Sequence, residues 1–368
     1  MLGVPMSEFK EIPDIDTVPG NAKELSDLME SDPLLEQEIL YLSGGVESYK
    51  DRNQRTSFPI TLSLEDSNST LVKVIERILR YLQNMIKDVF DGSAASAVVL
   101  SKVHSRAEEL ATNSRFARRN SQKTEFEIAT RIQNLSVKYK PISDPQVLLQ
   151  HLKVFNNIIG DVYRYLTVTV YGCFEDLIKY DPLNDSIEGL AASVVNSSPA
   201  QLMNTGRFIN QGLQLTSPQL LGNQKIVVTN KRPDGSPLEK LLACNMTLEN
   251  AELEPREIPN SIKYNRFGIS LEQSLIREVI SVIQTLGQYN NLNRRSIRRQ
   301  RMQLVVDRIA AIQKIADEVD AVTSQNVHNY IRMLEVYSGW MMSPYVGMIA
   351  LTHRNLTAVL NVCEGNTK

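Results

Sequence analysis

The sequence predicts a mainly α-helical protein, in which a multi-helix bundle body carries a small β-hairpin-containing insertion at about residues 212–267. Three observations give this fold class. Apolar residues recur with helical spacing over most of the chain. Strand and turn signals concentrate in the insertion, where five prolines exclude long helices. The connections between predicted helices are short, which favours antiparallel packing of neighbouring helices.

The first strongly periodic segment covers residues 70–90. Leu71, Ile75, Ile78 and Leu82 fall on one face of this predicted helix, and basic residues fall on the opposite face. Helical patterning continues at 94–113, 123–139 and 144–180, and more weakly at 187–211. The segment 144–180 is expected to be a hairpin or a kinked helix that breaks near Gly160 or Gly172.

The character of the chain changes after residue 211. The stretch KIVVTN predicts a strand, KRPDGSP a turn, and LEKLLACNMTL a return strand. Helical patterning then returns at 271–289, 294–321, 325–340 and 345–363. We therefore expect an acidic N-terminal arm at 1–47, a helical domain at 48–211, the β-containing insertion at 212–267 and a C-terminal helical domain at 268–368.

Charge is unevenly distributed, although the whole chain carries only −2. Residues 1–47, which we call the acidic arm, contain eleven acidic and two basic residues, a net charge of −9. Residues 48–368 therefore carry +7. An acidic segment joined to a basic body is either a solvated tail or a cover for a surface that attracts polyanions.

An arginine cluster opens the predicted helix at 294–321. On a helical wheel the five arginines share one face, and this face continues into an apolar stripe that includes Val305, Ile309 and Ile312. Positive charge at a helix start opposes the helix dipole, so an anionic partner is expected there. The residues of this helix cluster are Arg294, Arg295, Arg298, Arg299 and Arg301.

Three partners fit the helix cluster. The first is an acidic surface of the same protein or of a neighbouring copy, and the second is a nucleic-acid backbone. The third is solvent, with the arginine stems covering apolar surface. A second basic cluster, formed by Arg115, Arg118, Arg119 and Lys123, strengthens the expectation of a polyanion surface. No nucleic-acid-binding motif accompanies the clusters, so any DNA contact would be made to phosphates, without sequence readout.

No catalytic, cofactor-binding or metal-binding residues are predicted. The sequence contains no GxxxxGK[ST], GxGxxG, HExxH or GxSxG motif. The three cysteines are isolated, which fits a reducing compartment. No apolar run reaches the ~18 residues of a membrane span and no secretory signal is recognised, so we expect no membrane contact. An enzyme of unfamiliar type is the least favoured class.

The chain resembles the virion structural and internal head proteins of large tailed bacteriophages. The resemblance lies in organisation: a helical body with a small β insertion, no catalytic motif, an acidic arm and a basic remainder. It implies that acidic N-terminal segments are removed during capsid maturation by a protease that cuts after Glu in small-x-Glu tripeptides. Gly45-Val46-Glu47, followed by Ser48, matches this pattern where the acidic arm ends.

The resemblance implies a non-enzymatic virion protein, assembled in the host bacterial cytoplasm and located inside the head or lining it. Its partners would be other virion proteins, copies of itself and, through phosphates, packaged DNA. An alternative is a subunit of a helical virion assembly, such as a tail, neck or scaffold, in which the arginine clusters contact neighbouring proteins. Position in the particle and copy number stay open at this point.

Overall fold

A computed structural model describes residues 79–80, 83, 98–114, 124–182, 184–250, 258–290, 292–313, 321–342 and 345–368. Within these residues the chain is mainly α-helical with short antiparallel strands, which confirms the predicted fold class. The predicted helix at 70–90 lies mostly outside the described residues, and its described residues 79, 80 and 83 are helical.

Long helices form most of the described body, and a π-helical segment at Tyr165–Val170 joins two of them. The four helices predicted after residue 268 are confirmed. In chain order the helices are α1 (98–114), α2 (Pro145–Arg164), α3 (Tyr171–Lys179), α4 (Ile187–Val194), α5 (Pro237–Leu242), α6 (Ile269–Asn290), α7 (Leu292–Gln313), α8 (Ala321–Met342) and α9 (Tyr345–Thr367).

The strands form three antiparallel sheets. The largest has the order β4-β5-β6-β7, with β5 to β7 in the predicted insertion and β4 just before it, while β1 pairs with β8 and β2 pairs with β3. The strands are β1 (Glu125–Ile128), β2 (Ser136–Val137), β3 (Lys140–Pro141), β4 (Ile209–Gln211), β5 (Gln214–Thr216), β6 (Gln224–Asn230), β7 (Cys244–Asn250) and β8 (Ile262–Asn265).

The helix predicted at 123–139 is wrong. Its described part forms β1, a short 3-10 helix at Ile132–Leu135 and the start of the β2–β3 hairpin. Phe126 and Ile128 face the core, while Glu125 and Glu127 are exposed. The ring of Phe126 stacks on Tyr264 of β8 with the centroids 5.5 Å apart. Because β8 lies far away in the sequence, this pairing leaves no local signal, and the apolar spacing mimics a helix.

The return strand predicted after the KRPDGSP turn is correct only in its second half. Residues Pro237–Leu242 form the short helix α5 before β7 begins. The Ser236 side chain accepts a hydrogen bond from the Glu239 amide, and the Glu239 carboxylate accepts one from the Ser236 amide. This capping box and the proline at the first helical position favour a helical turn over an extended chain.

The break predicted near Gly160 or Gly172 lies elsewhere. The chain stays helical through both glycines, and its irregularity is the π-helical segment Tyr165–Val170. A Cβ at Gly160 would lie 3.6 Å from Cγ2 of Thr285, so this glycine marks the close packing of α2 against α6. The weak helix predicted at 187–211 shortens to α4, followed by 3-10 turns and β4.

Two buried polar contacts join α9 to the rest of the body. The Asn366 side chain, fully buried, donates to Oε2 of the buried Glu272 in the first turn of α6. Asn355, also fully buried, donates to the carbonyl of Leu221 at 2.9 Å. Gly222, the next residue, has φ +82°, and a Cβ there would lie 2.7 Å from Cδ1 of Leu351. The division into domains at 47, 211 and 267 stays a prediction.

Candidate charged surfaces

The helix cluster lies at the start of α7, as predicted for that helix. Arg299 is exposed, whereas Arg301 is half-buried and interacts with a neighbouring group. The side chains of Arg294, Arg295 and Arg298 lie outside what the structure describes. The apolar stripe that continues the cluster is confirmed by its buried residues, which are Met302, Val305, Val306, Ile309 and Ile312.

The other predicted site residues cannot be located in the structure. Arg115, Arg118, Arg119 and Lys123 lie outside the described residues, and so does the proposed processing site at Glu47 and Ser48. Their roles therefore remain predictions from sequence and charge.

One described surface cavity has balanced charges. It has a volume of about 240 Å³ and lies between α1 and the end of α9. The Glu364 carboxylate accepts from Lys368 at 3.0 Å and from Arg106 at 2.5 Å, and these hydrogen bonds hold its pKa below the usual value. Because the cations in the cavity already have a carboxylate partner, it does not present free positive charge. The lining residues are Arg106, Glu109, Leu110, Asn113, Glu364, Thr367 and Lys368.

Other arginines form hydrogen bonds between elements of the folded body. Arg207 donates to both carboxylate oxygens of the buried Asp161, at 2.8 and 2.6 Å. Arg308 donates to the carbonyl of Tyr180, just past the end of α3, at 2.7 Å. A cation at that position satisfies a carbonyl that the helix leaves without an intrahelical partner. These side chains contribute to stability rather than to a binding surface.

A different basic surface appears around the β2–β3 hairpin. Within the described chain, the non-glycine residues with positive φ are Arg131 (56°), Lys138 (52°), Tyr139 (58°) and Asn223 (59°). Left-handed backbone is uncommon for arginine, lysine and tyrosine, and such residues concentrate at functional sites. Lys138 and Tyr139 form the hairpin turn, which contacts Asn223, and Arg131 precedes the short 3-10 helix that contacts α9.

Hydrogen bonds make these contacts. The Asn223 side chain accepts from the Tyr139 amide at 2.7 Å, and the Gly222 amide donates to the Ser136 carbonyl at 3.1 Å. On the α9 side, Asn134 donates to Asn355 at 2.9 Å. The hairpin is therefore held against the body from two directions.

Three exposed cations lie at or beside the hairpin. Arg131, Lys138 and Lys140 are exposed, and we call these three residues the hairpin surface. None of the three forms an ion pair with another residue that the structure describes. Beside them, burial and then the positive charges of Arg131 and Arg354 lower the pKa of His353 to about 4. The imidazole is therefore neutral at pH 7 and lies in a positive environment.

The sequence prediction missed the hairpin surface because it assigned residues 123–139 to one helix. On a helix, Arg131 and Lys138 are seven residues apart and share one face, but Lys140 falls beyond the predicted segment, so the hairpin turn was not anticipated. The stretch Lys138-Tyr139-Lys140-Pro141 carried one usable signal, since the proline disfavours a helix that continues through it.

The described residues contain no group of three or more His, Cys, Asp or Glu side chains that could hold a metal ion. His104, His151, His328 and His353 lie in α1, α2, α8 and α9. Among the described helices, none is both long and apolar enough to cross a membrane.

Comparison with known proteins identifies the family. The family model for phiKZ-like phage internal head proteins matches residues 25–365. Comparisons with curated proteins and with solved structures gave no match. The family match covers nearly the whole chain and confirms the resemblance to the internal head proteins of large phages. The chain therefore belongs to the family of phiKZ-like phage internal head proteins.

Proposed function

We propose that this internal head protein is a non-enzymatic structural component whose basic body lies beside packaged DNA and contacts its phosphates. The observation that carries the proposal is the segregation of charge, with −9 in the acidic arm and +7 in residues 48–368. Lysine and arginine side chains that neutralise phosphates release condensed counterions, which drives binding without sequence readout. Assembly would take place in the host bacterial cytoplasm, with other virion proteins or copies of the chain as further partners.

The acidic arm has a role in this scheme before the DNA is packaged. Its carboxylates compete with phosphates for the helix cluster and for the second basic cluster, so the intact chain binds DNA weakly. Cutting after Glu47 would remove the acidic arm with its net charge of −9 and leave the basic body. The family match includes residues on both sides of this site.

Intact-mass analysis of the protein recovered from phage particles tests the processing step. The expected species begins at Ser48, because Glu47 ends the tripeptide at the boundary of the acidic arm. The same protein purified from cells that express it alone is the control and should retain the acidic arm. A particle-borne species that begins at Met1 would overturn the processing step.

A second candidate is a subunit of a helical virion assembly, such as a tail, neck or scaffold, in which the helix cluster contacts acidic groups on a neighbouring protein. One observation favours a protein contact. Leu304 on α7 is 48% exposed and lies three residues after Arg301 of the helix cluster, a spacing that makes the two side chains neighbours on the helix surface. Exposed apolar surface beside arginine is typical of protein interfaces.

Replacing Arg298 and Arg299 with glutamate distinguishes the two candidates. If the helix cluster contacts phosphates, the variant loses affinity for duplex DNA and its binding depends less steeply on salt. If the helix cluster contacts protein, the variant fails to assemble while its DNA affinity is unchanged. DNA affinity and incorporation into particles are the two measurements.

A further inference from the structure

We infer that the hairpin surface, Arg131, Lys138 and Lys140, is a separate contact for the phosphate backbone of duplex DNA. This inference rests on the proposed function and adds a site that neither predicted arginine cluster includes. Three features support it: the exposed positive charge, the way in which the hairpin is fixed, and the lack of exposed large apolar residues around it.

The positive charge is not offset by the described carboxylates nearby. Asp144 accepts a hydrogen bond from the Gln146 amide and caps the start of α2. Glu249 lies opposite the buried Lys225 in the β6–β7 pairing and also accepts from Thr247. Both carboxylates accept hydrogen bonds within the body, and among the described residues neither forms an ion pair with a cation of the hairpin surface.

The backbone that carries the two lysines is fixed before any ligand binds. The paired residues Val137 and Lys140 enclose a two-residue turn, Lys138-Tyr139, in which both residues have positive φ. Such a turn usually contains asparagine or glycine, which adopt this backbone readily. The hydrogen bond from Tyr139 to Asn223 fixes the turn. Charges on a fixed element lose less conformational entropy on binding than charges on a loose loop.

The composition of the surface favours DNA over a protein partner. The described large apolar residues that are exposed are Val147, Val168, Met203, Ile209, Leu213, Ile269 and Leu304, and none belongs to the hairpin or to the turn at 220–223. Protein interfaces have an apolar or aromatic centre, whereas DNA interfaces are more polar and strongly positive. The hairpin surface matches the second description.

The test compares two variants of the full-length chain that each lose two positive charges. The first is Lys138→Asn with Lys140→Gln, where asparagine suits the left-handed backbone at residue 138. The matched control is Lys231→Gln with Lys240→Gln. Lys231 follows the far end of β6, and the length of this strand places it roughly 20 Å from the turn at 220–223. Binding to duplex DNA is measured at several salt concentrations.

We expect the hairpin variant to bind less tightly than the control and to show a shallower dependence on salt. The slope of log affinity against log salt should fall in magnitude by roughly 2, since each lost phosphate contact contributes about 0.9. Equal slopes for the hairpin variant and the control would overturn the inference and leave the proposed function intact. Salt-independent binding by the unaltered chain would overturn the proposed function and the inference together.

Discussion

Replacing Trp340 with alanine is expected to lower the free energy of unfolding by about 3–5 kcal/mol, the range for truncating a buried tryptophan. The Trp340 side chain is 2% exposed, and its ring lies 4.6 Å from that of Tyr337, centroid to centroid. The indole Nε1 donates to the carbonyl of Cys244 at 3.0 Å, which ties α8 to the start of β7. The variant loses this packing and leaves the buried carbonyl without its donor.

Denaturant unfolding followed by circular dichroism measures the effect. Leu304→Ala is the control, because Leu304 is 48% exposed and its truncation removes little buried surface. Trp340→Phe should fall between the two, since it keeps an aromatic ring but removes the indole donor. A loss below about 1 kcal/mol for Trp340→Ala would contradict the packing of α8 against β7.

Replacing Asn366 with leucine is expected to cost about 3 kcal/mol or more, because a buried polar group that loses its partner is costly, and a carboxylate more so. Asn366 donates to the fully buried Glu272. Its side chain also accepts from the Phe267 amide at 3.0 Å and donates to the Phe267 carbonyl at 3.2 Å. Leucine can make none of these bonds.

A double-mutant cycle tests the Asn366 result. Glu272→Leu combined with Asn366→Leu removes both members of the pair, so its cost should be smaller than the sum of the two single substitutions. Asn210→Leu, at an exposed position of β4, controls for the change of residue type. Strictly additive costs would show that Asn366 and Glu272 do not stabilise each other.

The long helices after residue 268 were predictable because their apolar spacing is local information. The stripe through Val305, Ile309 and Ile312 is buried where the wheel placed it. Helix α5 was missed for a different reason. Its capping box at Ser236 and Glu239 is visible in the sequence, but β-strand signals on both sides outweighed it in the prediction.

Pairing between distant segments was not predictable. β1 pairs with β8, which follows it by more than 130 residues. The turn at 220–223 contacts the hairpin and α9, although both are distant from it in the sequence. Local spacing cannot report such contacts, because they depend on the packing of the whole body. For the same reason the hairpin surface was not predicted: its three cations are spread over ten residues, and their arrangement depends on the turns between them.

The distribution of charge along the sequence was its clearest indication of function. The net charges of the acidic arm and of the body follow from counting residues, and they do not depend on the fold. The partner of each arginine cluster does depend on the fold. Arg299 is exposed, which suits either a phosphate or a neighbouring protein as its partner.

The affinity of the full-length chain for duplex DNA, compared with that of an arm-neutral variant at several salt concentrations, tests the central claim most directly. In this variant nine of the eleven acidic residues of 1–47 are replaced by their amides, which brings the net charge of the acidic arm from −9 to zero. If the acidic arm covers the basic body, the variant should bind about tenfold more tightly or better at low salt, with a steeper salt dependence. Equal affinities and equal slopes for the two proteins would contradict the account.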